Sequence, residues 1–191
     1  MAKSEQPTEP AFREVALEYL DGLYGYAMTL TRNQTEAEDL VQETYLRAAR
    51  AFGQLRPDSN LKSWLFTILR NVRLNQIRHS QSGPRMVEVN DQSGNIPDFE
   101  DTLSKDPYAS YETKLKQADV RNAIEQLPPV YREVILLREF EELSYSEIAN
   151  VLDCPTGTVM SRLGRAREKL KEALRHWGWR ADSAASGGGE S

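Results

Sequence analysis

The stretch from Ser144 to Leu170 constrains this chain more than any other, because it can fold in few ways other than a helix, a tight turn and a second helix. Ser144 followed by Glu147 has the spacing of a capping box, in which hydroxyl and carboxylate each satisfy a main-chain N–H at a helix start. Ile148, Val151 and Leu152 give that helix an apolar stripe, and Ala149 leaves room for a second helix to pass close. Pro155, after Asp153 and Cys154, stops it, since proline has no N–H to donate and forces its predecessor out of the helical region. A new helix is expected to start within 155–158, with Val159, Leu163, Ala166, Leu170 and Leu174 facing inward. Arg162, Arg165, Lys169 and Ser161 fall on other sides. This is the pattern of a helix-turn-helix, whose second helix reads base edges in the major groove with its first turns and meets phosphates with later basic residues. The plainer alternative is an amphipathic helical hairpin with a solvated basic face.

The net charge of −5 seems wrong for nucleic-acid binding until it is divided along the chain. Residues 56–85 hold six Lys or Arg against one Asp, and residues 156–180 hold seven against two Glu, so each carries +5 among acidic neighbours. Two basic segments can each supply phosphate contacts, while the surrounding acid weakens non-specific binding by the protein alone. The 191 residues allow one or two small domains. No apolar run reaches the ~18 residues of a membrane span and the N-terminus is polar, so a cytoplasmic protein without membrane insertion is expected. A single cysteine, Cys154, excludes an internal disulfide and a multi-cysteine zinc site. With only His79 and His176, no phosphate-cradling glycine loop and no nucleophile–histidine–acid set, no catalytic residue, metal ligand or cofactor site is expected, and the chain reads as not an enzyme.

The helical periodicity predicts an all-α protein of two small domains joined by a flexible linker, the C-terminal one containing the helix-turn-helix. The N-terminal domain is expected over 11–79. Its first helix runs from Ala11 to about Leu30, and its second from Thr35, capped with Glu38, to about Ala51. Leu40, Val41, Thr44, Tyr45 and Ala48 are its buried stripe, opposite a cluster of Glu36, Asp39, Gln42 and Glu43. After a loop over 52–60, a third helix over 61–79 has an apolar face of Leu61, Trp64, Leu65, Ile68, Leu69 and Val72 and a second half rich in arginine and asparagine. Residues 80–110 read as an acidic linker with interspersed glycine and proline, 111–178 as a four-helix domain, and 179–191 as a disordered tail.

These residues resemble the extracytoplasmic-function (group IV) sigma factors of bacterial RNA polymerase. The likeness is carried by residues 37–52 and 60–78, similar to the family's core-binding and −10-element regions, and by 127–152 with 155–170, similar to its −35-reading domain. It implies that Asp39, Leu40, Gln42 and Glu43 belong to the segment that docks on a coiled coil of the polymerase's largest subunit. Asn60, Lys62, Ser63, Trp64, Arg70, Asn71, Arg73, Asn75 and Arg78 match the part that captures the melted −10 strand, where extruding a base costs a few kcal/mol that a pocket of donors can recover selectively. Thr156, Thr158, Ser161, Arg162, Arg165 and Lys169 match the reader of the −35 duplex. The implied partners are core RNA polymerase, promoter DNA and an anti-sigma factor, and no cofactor is implied. The nearest rival is a stand-alone helix-turn-helix regulator, which would bind duplex DNA without polymerase.

Overall fold

The computed structural model describes residues 12, 15–56, 59–82 and 119–176, which form helices joined by turns and short irregular links, with no strand among them. Six helices can be numbered: α1 (Leu20–Thr31), α2 (Gln34–Ala51), α3 (Leu61–Ser82), α4 (Pro129–Ile135), α5 (Tyr145–Leu152) and α6 (Thr156–His176). Residues 15–17 and 119–125 add short helical segments. The expected linker and the start of the helix after it, as well as the tail, lie outside the described residues from 83 to 118 and beyond 176.

The first helix does not run unbroken from residue 11. It turns at Glu18 and Tyr19, because the Ala16 carbonyl accepts from the Tyr45 hydroxyl at 2.7 Å and from the Tyr19 N–H at 3.1 Å. A partner far away in sequence has captured the acceptor that a continuing helix would use. The second helix also starts differently from the expectation. Asn33, in extended conformation, is the N-cap: its Oδ1 accepts from the Glu36 N–H at 3.0 Å. Thr35 lies inside the helix, and the Glu38 carboxylate accepts from the Gln34 side-chain amide at 3.0 Å. Asparagine is as good a cap as threonine or better, and placed two residues earlier it starts the helix sooner.

Three helices close the N-terminal core. Leu23, Ala27, Leu40, Val41, Leu65, Phe66, Leu69 and Val72 are buried, and the rings of Tyr26 and Phe66 tilt against each other with centroids 5.4 Å apart. The C-terminal half is built from α4 to α6. Pro128 and Pro129 open α4, which runs into a π-helical turn over Leu136–Phe140, and Glu141 N–H reaches back to Leu136 O at 3.0 Å. Val134, Ile135 and Leu137 face inward.

Arg132 is buried at the centre of this half. Its Nε donates to Ile124 O at 3.2 Å and its Nη2 to Leu127 O at 2.9 Å and to Glu125 O, so one guanidinium ties the end of the 119–125 helix to α4. Burial, then the charge of Arg32, lowers its pKa from the usual arginine range, and Glu125 acts the other way. The side chain stays charged regardless. The two halves are in contact: α5 packs on α3, α4 touches α1, and the buried side chains of both belong to one cluster.

Candidate nucleic-acid interfaces

The helix-turn-helix forms as its residues dictate. Ser144 Oγ accepts from the Glu147 N–H at 3.3 Å, while the Ser144 N–H donates to Glu147 Oε2 at 2.7 Å, completing the capping box. The Glu147 carboxyl feels burial most strongly, which raises its pKa, yet hydrogen bonds from the Ser144 hydroxyl and N–H and from Asn60 together hold it below the ordinary value. Asp153 ends α5 in the left-handed region (φ 48°), a conformation that aspartate adopts more readily than most residues. The Cys154 N–H bonds Ala149 O at 3.0 Å, and the Thr158 N–H bonds Pro155 O at 2.8 Å to open α6. Ile148, Val151, Leu152, Val159, Leu163 and Ala166 are buried between the two helices and α4.

This packing leaves one face of α6 outward. Thr156, Ser161, Arg165 and Lys169 are exposed, whereas Thr158 and Arg162 are half-buried. Ser161 Oγ donates back to Thr158 O at 3.0 Å. Arg167, between them in sequence, pairs with Glu139 at 2.6 Å and clamps α6 to the π-helical turn. The half-buried Arg162 lies close enough to Glu133 for its charge to act on that carboxyl.

The second basic surface is on α3. Asn60 caps this helix, its Oδ1 accepting from the Ser63 N–H at 3.2 Å. Ser63 is buried, Trp64 half-buried against the core, and Thr67 Oγ1 bonds Ser63 O at 2.9 Å. Asn71 and Arg78 are exposed and Asn75 is half-buried, with Arg78 Nη1 3.4 Å from Asn75 Oδ1. Arg73 pairs with Glu36 of α2 at 2.9 Å. Lys62 Nζ sits 2.8 Å from Glu141 Oε2, and Arg70 Nε lies 3.7 Å from Glu133 Oε2. Burial raises the Glu133 pKa from the ordinary carboxylate value, opposed by Arg70 and Arg162.

The acidic face of α2 is on the opposite side from its core stripe. Asp39 and Gln42 are exposed and Glu43 is half-exposed, bonded to Arg47 at 2.6 Å, with Leu46 exposed beside them. Leu40 is not on this face: its side chain is wholly buried and holds α2 against α1 and α3. The pairings of Lys62, Arg70 and Arg73 and the stapling role of Arg132 are invisible in periodicity, because each partner comes from another element. No group of three or more metal-ligating side chains occurs among the described residues, and no described helix is long and apolar enough to cross a membrane.

Two helical units, one with a capped helix-turn-helix and one with a basic helix beside an acidic face, define a protein of the transcription-initiation class. Two family profiles match the chain in this order. Sigma-70 region 2 matches residues 15–83, and Sigma-70, region 4 matches residues 117–170. The chain is 36% identical over 168 residues to the ECF RNA polymerase sigma factor EcfG of Rhodopseudomonas palustris, covering 88% of this chain and 87% of that one. It is 35% identical over 167 residues to the RNA polymerase sigma-H factor of Pseudomonas aeruginosa, covering 86% of each. Among solved structures it is similar to the sigma factor RpoE of Bartonella quintana, crystallised with the anti-sigma factor NepR, with a TM-score of 0.62 and 31% identity over 86% of this chain and 96% of that one. A second, CnrH in complex with the cytosolic domain of CnrY, gives a TM-score of 0.57 at 27% identity, covering 92% of each chain. The chain belongs to the extracytoplasmic-function sigma factors of the sigma-70 family.

Proposed function

We propose that the protein binds core RNA polymerase through the α2 face of Asp39, Gln42 and Glu43 and directs promoter-specific initiation, acting in the cytoplasm and without catalysis of its own. On this reading α6 reads the −35 element as duplex, with Arg162 and Arg165 directed at bases and Lys169 at phosphate. The α3 face from Asn60 to Arg78 holds the melted −10 strand. The observation that carries the reading is the presence of two separate basic helical surfaces in one chain, in the order of sigma-70 regions 2 and 4. An anti-sigma partner, as in the RpoE–NepR and CnrH–CnrY complexes, is the expected regulator. The stand-alone regulator is not favoured, because it leaves the basic α3 and the acidic α2 faces without a task.

The test is run-off transcription with core polymerase on a genomic promoter library. Wild-type protein should give promoter-specific transcripts. Arg162→Ala should lose them through weaker −35 reading, and Asp39→Ala with Glu43→Ala through weaker polymerase binding. Tight duplex binding by the protein alone, with no polymerase-dependent transcripts, would replace this reading with the stand-alone regulator.

A further inference from the structure

The exposed surface of α6 carries one side chain to which −35 reading by arginines and hydroxyls gives no task. Met160 is 52% exposed, the one large apolar side chain of this helix standing in solvent among the described residues. It falls outside the inward stripe of Val159, Leu163, Ala166 and Leu170 and shares the first turns with the exposed Thr156, Ser161 and Arg165. Its helix neighbours three residues before and four after are both glycines, Gly157 and Gly164. Both are exposed, and a Cβ on either would meet nothing within 4 Å, so the methionine stands beside bare backbone that no other group fills. Gly22 differs: a Cβ there would stand 2.6 Å from a Glu141 carboxylate oxygen, so its lack of a side chain has a reason inside the chain. Glycine destabilises a helix interior relative to alanine, and around Met160 nothing in the free chain offsets that.

A methionine side chain adapts its shape through three rotatable bonds but has no N–H or O–H to give a phosphate or a base edge. In the major groove the apolar group that distinguishes one base from the others is the C5-methyl of thymine. We propose that Met160 is a specificity-determining residue for the −35 element: it covers the C5-methyl group of one thymine, and Gly157 and Gly164 let the backbone of α6 come close enough to the duplex for that contact. The inference rests on the −35 role proposed above for α6. Arg162 and Arg165 can select guanine through O6 and N7, but a guanidinium has no means of sensing a methyl group. The thymine preference is therefore an apolar one, separate from the arginine contacts.

The test removes the methyl and nothing else. Duplexes of a promoter recovered in the transcription assay are made with each thymine of the −35 element, on either strand, replaced singly by deoxyuridine, which pairs as before. Holoenzyme assembled from core polymerase and the full chain should bind one of these about 3- to 4-fold more weakly than the parent, the effect of burying one methyl group. Met160→Ala should bind the parent duplex more weakly by a similar factor and be indifferent to that deoxyuridine, while Met160→Leu stays sensitive to it. Gly164→Ala should raise the urea midpoint of the free chain and yet weaken duplex binding, because the added methyl group meets nothing until DNA approaches. A −35 element without thymine, wild-type holoenzyme indifferent to every deoxyuridine, or Met160→Ala as sensitive as wild type would each overturn the thymine contact. Gly164→Ala binding duplex as tightly as wild type would overturn the close approach. Absence of polymerase-dependent transcripts is the separate failure of the sigma reading, and the same deoxyuridine series on a duplex that the chain alone selects from random sequence then decides on Met160.

Discussion

Replacing Arg132 by methionine should destabilise the C-terminal half by about 3 kcal/mol, a large part of the ~5–15 kcal/mol that holds a domain together. The figure follows from its contacts. The guanidinium donates to the carbonyls of Ile124, Glu125 and Leu127 and is 4% exposed. A hydrogen bond from a charged donor contributes about 1.5–3 kcal/mol net, and carbonyls left without a donor keep their full desolvation penalty. Against this, methionine removes a buried charge whose desolvation the lowered Arg132 pKa registers, and it fills much of the same volume. Arg132→Lys should fall between the two, because an ammonium can reach a carbonyl but lacks the planar fork that spans three. The assay is urea unfolding at 25 °C followed by far-UV circular dichroism for wild type and both variants. A loss below about 1 kcal/mol for Arg132→Met would refute the view that this side chain staples the 119–125 helix to α4.

Leu69→Ala, at a wholly buried position of α3, should cost about 2–5 kcal/mol in the same unfolding experiment, and a value under 1 would mean the N-terminal core is looser than its burial indicates. Arg162→Ala should reduce discrimination between the preferred and a single-base-altered −35 element by about 1–3 kcal/mol, roughly 5- to 150-fold in run-off yield at limiting protein, whereas equal losses on both elements would assign Arg162 to phosphate. Glu147 links stability to acid. Its folded pKa lies below the unfolded one, so its contribution is complete above the unfolded carboxylate value of about 4.3 and is lost as pH falls through the folded value. The gap in unfolding free energy between wild type and Glu147→Gln should therefore shrink as pH falls from about 7 to 3, and a constant gap would show that the capping box does not depend on the carboxylate charge.

The helix-turn-helix was legible because everything that sets it is local: Ser144 and Glu147 cap, Pro155 stops and the apolar residues keep helical spacing. The all-helical class was legible for the same reason. The misplaced start of α2 shows where such reading runs out, since Asn33 and Thr35 are both competent caps and only the assembled geometry shows which carbonyl and N–H groups need one. The break at Glu18 and Tyr19 has its cause in Tyr45, and the role of Arg132 depends on carbonyls exposed at another helix end. Neither can appear in a periodicity. Leu40 is the reverse case: the helical period already placed it in the buried stripe, and its burial separates it from Asp39 and Glu43, with which the motif groups it.

The uneven charge of the chain takes on a physical meaning once the pairings are known. On α3, Lys62, Arg70 and Arg73 each face a carboxylate, from Glu141, Glu133 and Glu36, so much of the +5 of residues 56–85 is neutralised within the molecule. On α6, Arg167 meets Glu139, while Arg165 and Lys169 point outward. A Lys or Arg displaces the counterions condensed on a phosphate only when it is free to reach that phosphate, so a cation already paired inside the protein contributes less. Duplex binding through α6 should therefore carry the ordinary steep salt dependence, and strand binding through α3 must first break internal ion pairs, which added salt weakens as well. Salt screens a phosphate contact of α6 directly, whereas on α3 it screens the contact and also weakens the internal ion pairs that compete with it. Strand binding through α3 should then show a shallower salt dependence per phosphate contact than duplex binding through α6, and equal slopes would refute the competition by internal ion pairs.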